Sequence, residues 1–253
     1  MRLVYQIIIL SLSILLYPWL KINKKTRLFL AQRYGCHALP SGEYYWFHGA
    51  SLGEIQGLLP IIKLLRQEKP TAQILGTATS VNGYKKMLEV ADLASLLPID
   101  HPIYIKRFLA KAKIKKFIFG ETEIWPELIH YLFKNNVNCY LVNGRLSEFN
   151  FKKYLFFKKF IQKSLIKLTG IFCISETYLS RFVELGACPS KAQVTGNLKY
   201  DQAGKLISAE EAQEYRWQIF KNDLPIFTIA SIRPGEEEYF SDIIKQYQDN
   251  FNI

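Results

Sequence analysis

Cysteine is scarce in this chain: Cys36, Cys139, Cys173 and Cys188 are the four in 253 residues, and none belongs to a C-x-x-C pair. That excludes a disulfide-built scaffold and a zinc or redox C-x-x-C motif. Cys139 and Cys173 lie inside apolar runs and read as buried free thiols. Acidic residues are also short, 22 against 33 Lys plus Arg, which leaves a formal charge of 33 − 22 = +11. The imbalance calls for an anionic partner: nucleic acid, a phosphorylated substrate or an anionic membrane face. Several chemistry-bearing motifs are missing. There is no GxxxxGK[ST] loop, no HExxH, no GxSxG and no His/Cys cluster of metal-ligand spacing. No basic-aromatic signature of an RNA-binding module occurs, so no nucleic acid is expected as partner. Internal repeats and low-complexity tracts are absent. Apolar residues are plentiful at 49%, with 14% aromatic, enough for a packed core and too many for a disordered chain.

The longest apolar run is LVYQIIILSLSILLYPWL, residues 3–20. Eighteen residues lies at the short end for a membrane span. No small-x-small cleavage site follows, which argues against a secretory leader. KINKKTR follows instead, and the cationic flank places the bulk of the protein on the cytoplasmic side of a membrane. Residues 1–22 are therefore expected to be a membrane anchor or interfacial segment. A second candidate for membrane contact is FKKYLFFKKFIQKSLIKL, residues 151–168, with six lysines and no acid. It reads as a basic amphipathic helix, with an ordinary core helix bearing a solvated lysine face as the alternative.

From residue 40 onward, short β-like runs alternate with helical stretches. The runs are YYWFHG, AQILGTAT, SLLPI, KKFIFGE, CYLVNG, GIFCISE and AQVTGN. This alternation implies a parallel sheet covered by helices on both faces, over residues 40–203. Such sheets place ligands at the carboxyl ends of their strands. Residues 204–253 read as a linker, a helix capped by Ser208 with Glu211 three residues on, a buried strand PIFTIASI and a second helix.

Four motifs fall at predicted strand ends. HGASLGE, residues 48–54, offers glycines for close backbone approach and a helix N-terminus that favours an anion. Glu54 sits in the first turn, where the dipole favours its ionised form; it is either a base or an ordinary helix-start acid. His48 reads first as a core histidine. GETEIWPEL carries Glu121 and Glu123, which would share one face of a strand, and Pro126, which suits a helix start. NGRLSE carries Arg145, a natural phosphate or carboxylate ligand or else a structural partner of Glu148. VTGNLKYD carries Lys199, either a cation at the site or a surface charge.

Taken in order, HGASLGE, GTATSVNGY, LPIDHPIYIKRFL, ETEIWPELI, NGRLSE, ISETYLSRFVELGA and VTGNLKYD resemble the 3-deoxy-D-manno-octulosonic acid (Kdo) transferases of lipopolysaccharide assembly. The resemblance spans the whole chain and is most specific in SLGE, ETEIWP and GNLKYD. It implies an α/β, GT-B-type glycosyltransferase fold: a Rossmann-like N-terminal domain that receives the acceptor, and a nucleotide-sugar domain of which residues 204–253 would be only the start. The implied reaction moves Kdo from CMP-Kdo to a lipid A precursor (lipid IVA) with inversion, at the cytoplasmic face of the inner membrane, without cofactor or metal. The resemblance assigns Glu54 as proton acceptor and Glu121 and Lys199 as transition-state stabilisers. Substrate contacts are expected from Ser51, Gly53, Arg145, Ser231, Gly235 and Glu236. The second-domain loop departs from the family pattern, with Arg233 where a histidine is usual. Alternative readings are another membrane-surface GT-B glycosyltransferase or a non-catalytic lipid-binding remnant. Because the nucleotide-holding motifs are not among these residues, the 253-residue chain alone is expected to bind CMP poorly and to be impaired in transfer. Isothermal titration with CMP tests this, and micromolar affinity would overturn it.

Overall fold

The computed structural model describes residues 1–23, 27, 29–36, 38–202, 207–247 and 249–252. These fall into two compact units, Met1–Ala203 and Gly204–Ile253.

The first unit is built on a parallel sheet of seven strands: β1 Gly42–His48, β2 Gln73–Ala78, β3 Leu93–Leu96, β4 Ala112–Gly120, β5 Asn138–Gly144, β6 Gly170–Cys173 and β7 Ala192–Val194. Their order is β3-β2-β1-β4-β5-β6-β7, every pairing parallel. Each crossover carries a helix, as parallel pairing requires. Numbered in chain order, α1 is Arg2–Ile22 and α2 Leu30–Arg33. The crossovers hold α3 Leu52–Glu68, α4 Val81–Val90, α5 Pro102–Phe108, α6 Pro126–Lys134, α7 Glu148–Phe156, α8 Lys158–Leu165 and α9 Glu176–Glu184. Side chains alternate across the sheet. Trp46, Phe117 and Phe119 enter one core, while Phe47, Ile74 and Ile118 enter the core on the opposite face. Cys139 and Cys173 are buried free thiols, as expected.

Two expectations need correction here. The lysine-rich segment is not one helix but two, α7 and α8, meeting at Phe157. There the amide of Phe157 donates three residues back to Tyr154 and closes the first helix. PIFTIASI does not form a strand. Only Ile226 pairs, in an isolated bridge to Asn252, and residues 225–232 are mostly exposed. A strand needs a hydrogen-bonded neighbour along its length, and none of the described residues supplies one. The second unit also contains α10 Ala209–Ile219, opened by the expected capping box of Ser208 and Glu211, and α11 Glu237–Tyr247.

Helix α6 starts without a side-chain cap of its own. The fully buried Asp100, beyond β3, caps it from a distance, its carboxylate accepting the amides of Glu127 (3.0 Å) and Leu128 (2.8 Å). Replacing Asp100 with Ala strands both donors in the interior and is expected to cost about 1–3 kcal/mol in urea unfolding. A loss under about 0.5 kcal/mol, the range of neutral surface changes, would show that the cap is dispensable.

Candidate active site

The strand order reverses its direction of growth at β1: β2 and β3 lie on one side, β4 to β7 on the other. In open α/β sheets this reversal marks the crevice where ligands bind. The loops leaving β1 and β4 here are HGASLGE and GETEIWPEL.

Ser51 caps α3, accepting the Glu54 amide at 3.4 Å. The Glu54 side chain turns back over the cap, where Oε2 accepts the Ala50 amide (2.9 Å) and Oε1 accepts the Ser51 hydroxyl (3.2 Å). Two donors fix the rotamer and leave lone pairs free. Gly49 gives this fold-back room, since a Cβ there would lie 3.0 Å from Ile55 Cγ1 and 3.2 Å from Glu54 Cβ, tighter than ordinary contact. Burial pushes the Glu54 carboxyl up to about 7, reinforced by the charges of Glu123 and Glu121 and opposed by the two hydrogen bonds.

Glu121 and Glu123 do not share a strand face. β4 ends at Gly120, and Glu121 turns the chain in the left-handed region at φ 52°. This conformation is costly for a residue with a side chain and tends to persist at functional sites. The turn sends the two acids to different partners. Glu121 Oε1 lies 3.6 Å from Lys199 Nζ. Glu123 Oε2 lies 3.4 Å from Nε2 of the fully buried His48. His48 Nδ1 in turn lies 2.9 Å from Thr77 Oγ1, which accepts the Trp46 indole N–H at 2.7 Å. His48 is thus a core histidine that also reaches an acid of the site loop.

Lys199 is carried on a short 3₁₀ turn, Leu198–Gln202. Its ammonium stands over Gly53, 3.9 Å from where a Cβ would lie. Asn143 holds the turn in place: it is buried at the end of β5 with φ 54°, and its Oδ1 accepts the Leu198 amide at 3.1 Å. Sequence reasoning noted the motif containing Asn143 but passed over the residue, since only the β5 contact with the 3₁₀ turn gives it a task. Thr77 was missed for the same reason. Arg145 is exposed, and the loop of Glu121 reaches it through its carbonyl, which accepts the Thr122 hydroxyl at 2.6 Å. Glu54, Glu121, Lys199, Ser51 and Gly53 therefore come together, with Arg145 beside them at the next strand end.

Ser231, Gly235 and Glu236 lie in the second unit. They form an exposed turn before α11, with Ser231 at φ 62° and Gly235 at φ 92°. The Glu236 carboxylate accepts the Arg233 amide at 2.9 Å. Among the described residues no group of three His, Cys, Asp or Glu side chains is arranged to hold a metal ion.

An apolar cavity of about 510 Å³ adjoins the β1 loop. α1 forms one wall through Leu12, Leu16 and Leu20, and Thr79 and Val81 form part of the other. Thr79 donates its hydroxyl, and Ser80 its amide, to the Ala50 carbonyl (3.0 and 2.9 Å), so the cavity wall and the Glu54 loop share a hydrogen-bonded seam.

Residues 25–202 match the family model described as 3-Deoxy-D-manno-octulosonic-acid transferase (kdotransferase). Among curated proteins, the 3-deoxy-D-manno-octulosonic acid transferase of Haemophilus influenzae is 31% identical over 85% of this chain and 52% of its own length. A bifunctional glycosyltransferase/methyltransferase of Fusobacterium nucleatum is 28% identical over 94% of this chain and 38% of its own. The chain spans about half the length, or less, of the curated relatives it matches. Among solved structures, the UDP-GlcNAc 2-epimerase of Neisseria meningitidis aligns with a TM-score of 0.53 at 12% identity, over 83% of this chain and 63% of that one. This likeness is one of fold, the GT-B-like α/β architecture.

The raised Glu54 value has a consequence for folding. A carboxyl whose pKa is higher folded than unfolded adds stability below its unfolded value, near 4.3, and that contribution is lost as pH rises through about 7. The chain is therefore expected to be less stable to urea at pH 8 than at pH 5 by an amount that Glu54→Gln removes. An unchanged pH slope in the variant would show that Glu54 is ordinary.

Proposed function

The chain belongs to the 3-deoxy-D-manno-octulosonic-acid transferase family, and from that membership we propose that its first unit is the acceptor-side domain of an inverting glycosyltransferase moving Kdo from CMP-Kdo onto a lipid A precursor. The observation that carries this reading is the state of Glu54: a half-buried carboxylate held by two donors at the reversal point of the sheet, with a pKa near 7. A general base works best with a pKa near the working pH. Glu54 takes the proton of the acceptor hydroxyl as the oxygen bonds to the anomeric carbon of Kdo and the bond from that carbon to the CMP phosphate breaks. The sugar passes through an oxocarbenium-like transition state. Glu121 offsets the positive charge that develops on it, and Lys199 offsets the charge of the departing phosphate. Their 3.6 Å spacing supports this division, since the pair holds a carboxylate and an ammonium side by side at the site.

The acceptor class follows from the surroundings. A phosphorylated, acylated sugar accounts for the +11 charge, and the apolar cavity beside the Glu54 loop is of a size and lining suited to acyl chain. We place the protein at the cytoplasmic face of the inner membrane. Support comes from α1, a 21-residue helix long and apolar enough to cross a membrane, and from the cationic segment that follows it in sequence. Donor binding is assigned to the nucleotide-sugar domain of the family architecture, and acceptor binding to the first unit.

In the enzyme that carries this domain, Glu54→Gln is expected to lower kcat by about 10²–10⁴ while acceptor binding survives. The wild-type rate is expected to climb with pH through about 7, and the residual rate of the variant to lose that limb. A wild-type profile flat from pH 5 to 9, or a variant retaining full rate, would remove Glu54 as the base. Transfer from UDP-sugars in place of CMP-Kdo would assign the site to a different glycosyltransferase.

A further inference from the structure

α1 passes for a membrane span by length and composition, yet its contacts describe a helix lying along a folded domain. Arg2, Tyr5, Gln6, Ile9, Ser13 and Leu20 recur at helical spacing and form one stripe. At one end, Arg2 grips Glu127 through Nε–Oε1 (2.7 Å) and Nη2–Oε2 (2.8 Å), and Gln6 Nε2 donates to Oε2 (2.9 Å). The Tyr5 hydroxyl donates to Asp100 at 2.8 Å. Midway, the Ser13 hydroxyl meets Tyr104 OH at 2.9 Å, and Tyr34 OH donates to the Ser13 carbonyl. At the other end, Leu20 packs against the cluster of Leu30, Tyr34 and Tyr104. Glu127 is 1% exposed and Asp100 4%, so the carboxylates of the clamp are interior, and Arg2 reaches Glu127 from a partly exposed position.

Both ends of α1 therefore touch the same domain. A helix of about twenty residues spans about 30 Å, the thickness of the hydrocarbon layer; if it crossed, Arg2 and Leu20 would lie on opposite sides of the membrane. The opposite face of α1 is bare: Leu3, Ile7, Ile8, Ile14, Leu15 and Trp19 are each between 50% and 74% exposed. Tyr5 packs against Phe160 of α8, ring centroids 5.3 Å apart and planes tilted by 45°. That contact sets α1 beside α8, and the α7–α8 segment exposes Phe156 and Phe157 together with Lys152, Lys153, Lys158, Lys159 and Lys163. Apolar side chains bordered by cations complement an anionic lipid surface.

We infer that α1 lies in the plane of the membrane as a monotopic helix, held there by the Arg2–Glu127 and Tyr5–Asp100 clamp, with the α7–α8 lysines on the lipid headgroups. This rests on the membrane location proposed above and specifies its form. The clamp also joins the lipid-facing helix to the site. Glu127 opens α6 directly behind the loop of Glu121 and Glu123, and Asp100 caps that same helix.

The test is topological. A protease-cleavable epitope is placed ahead of Met1, which is exposed, and the tagged chain is expressed in a Gram-negative host. The expected result is that protease removes the epitope from inverted inner-membrane vesicles without detergent and spares it in intact spheroplasts. The reverse pattern, protection in inverted vesicles until detergent is added and cleavage in spheroplasts, would establish a span and overturn the in-plane helix while leaving the membrane location standing. Recovery in the soluble fraction as a dimer would assign the bare face to a second copy of the chain and defeat both readings. Charge reversal at the clamp, Arg2→Glu, is expected to shift part of the epitope to the protected pool in inverted vesicles. No shift in a protein that still sediments with membranes would show that the clamp does not set the helix's position.

Discussion

The parallel pairing of β1 with β4 governs the arrangement of this site. Strand register sets His48 opposite Phe119 on one side and Thr77 on the other, so the three loops that follow these strands emerge at one level. Because the sheet grows in opposite directions from β1, the crossover helices leave on opposite faces, and the loops of β1 and β4 border an opening that packing alone does not fill. Glu54 enters from the first loop, Glu121 and Glu123 from the second. Lys199 arrives from beyond β7, held by Asn143 at the end of β5. A different strand order with the same sequence of elements would separate these groups.

Three carboxylates close together repel one another, and the structure gives each a different answer. Glu121 faces an ammonium. Glu123 reaches a buried imidazole that is itself braced by Thr77. Glu54 has no cation among the described ion pairs and relies on two hydrogen-bond donors, which do not offset the burial and repulsion that raise its pKa. A carboxyl poised between its two protonation states at neutral pH can accept a proton.

The same sheet edge carries the fastening of α1. Asp100 follows β3 and Glu127 follows the β4 loop, so the most apolar helix of the chain rests on the elements that support the site acids. The fastening consists of polar groups on an apolar helix. Its carboxylates are buried, so removing a partner from α1 leaves an uncompensated interior charge.

The sequence alone determined the parallel α/β plan, the strand-end position of each motif, the buried thiols and the capping box at Ser208. These depend on local periodicity, cap chemistry and hydrophobicity, which act over a few residues. It also picked out Glu54, Glu121 and Lys199 through an ordered set of motifs, though it could not say what each one touches. Tertiary structure decided the rest. It turned Glu121 off the strand through a left-handed residue, gave His48 and Asn143 their partners, divided the lysine-rich segment at Phe157 and left PIFTIASI without a sheet. It also clamped Arg2 to a carboxylate 125 residues away. Each of these outcomes depends on groups far apart in the chain, and one residue's neighbours in sequence carry no record of them.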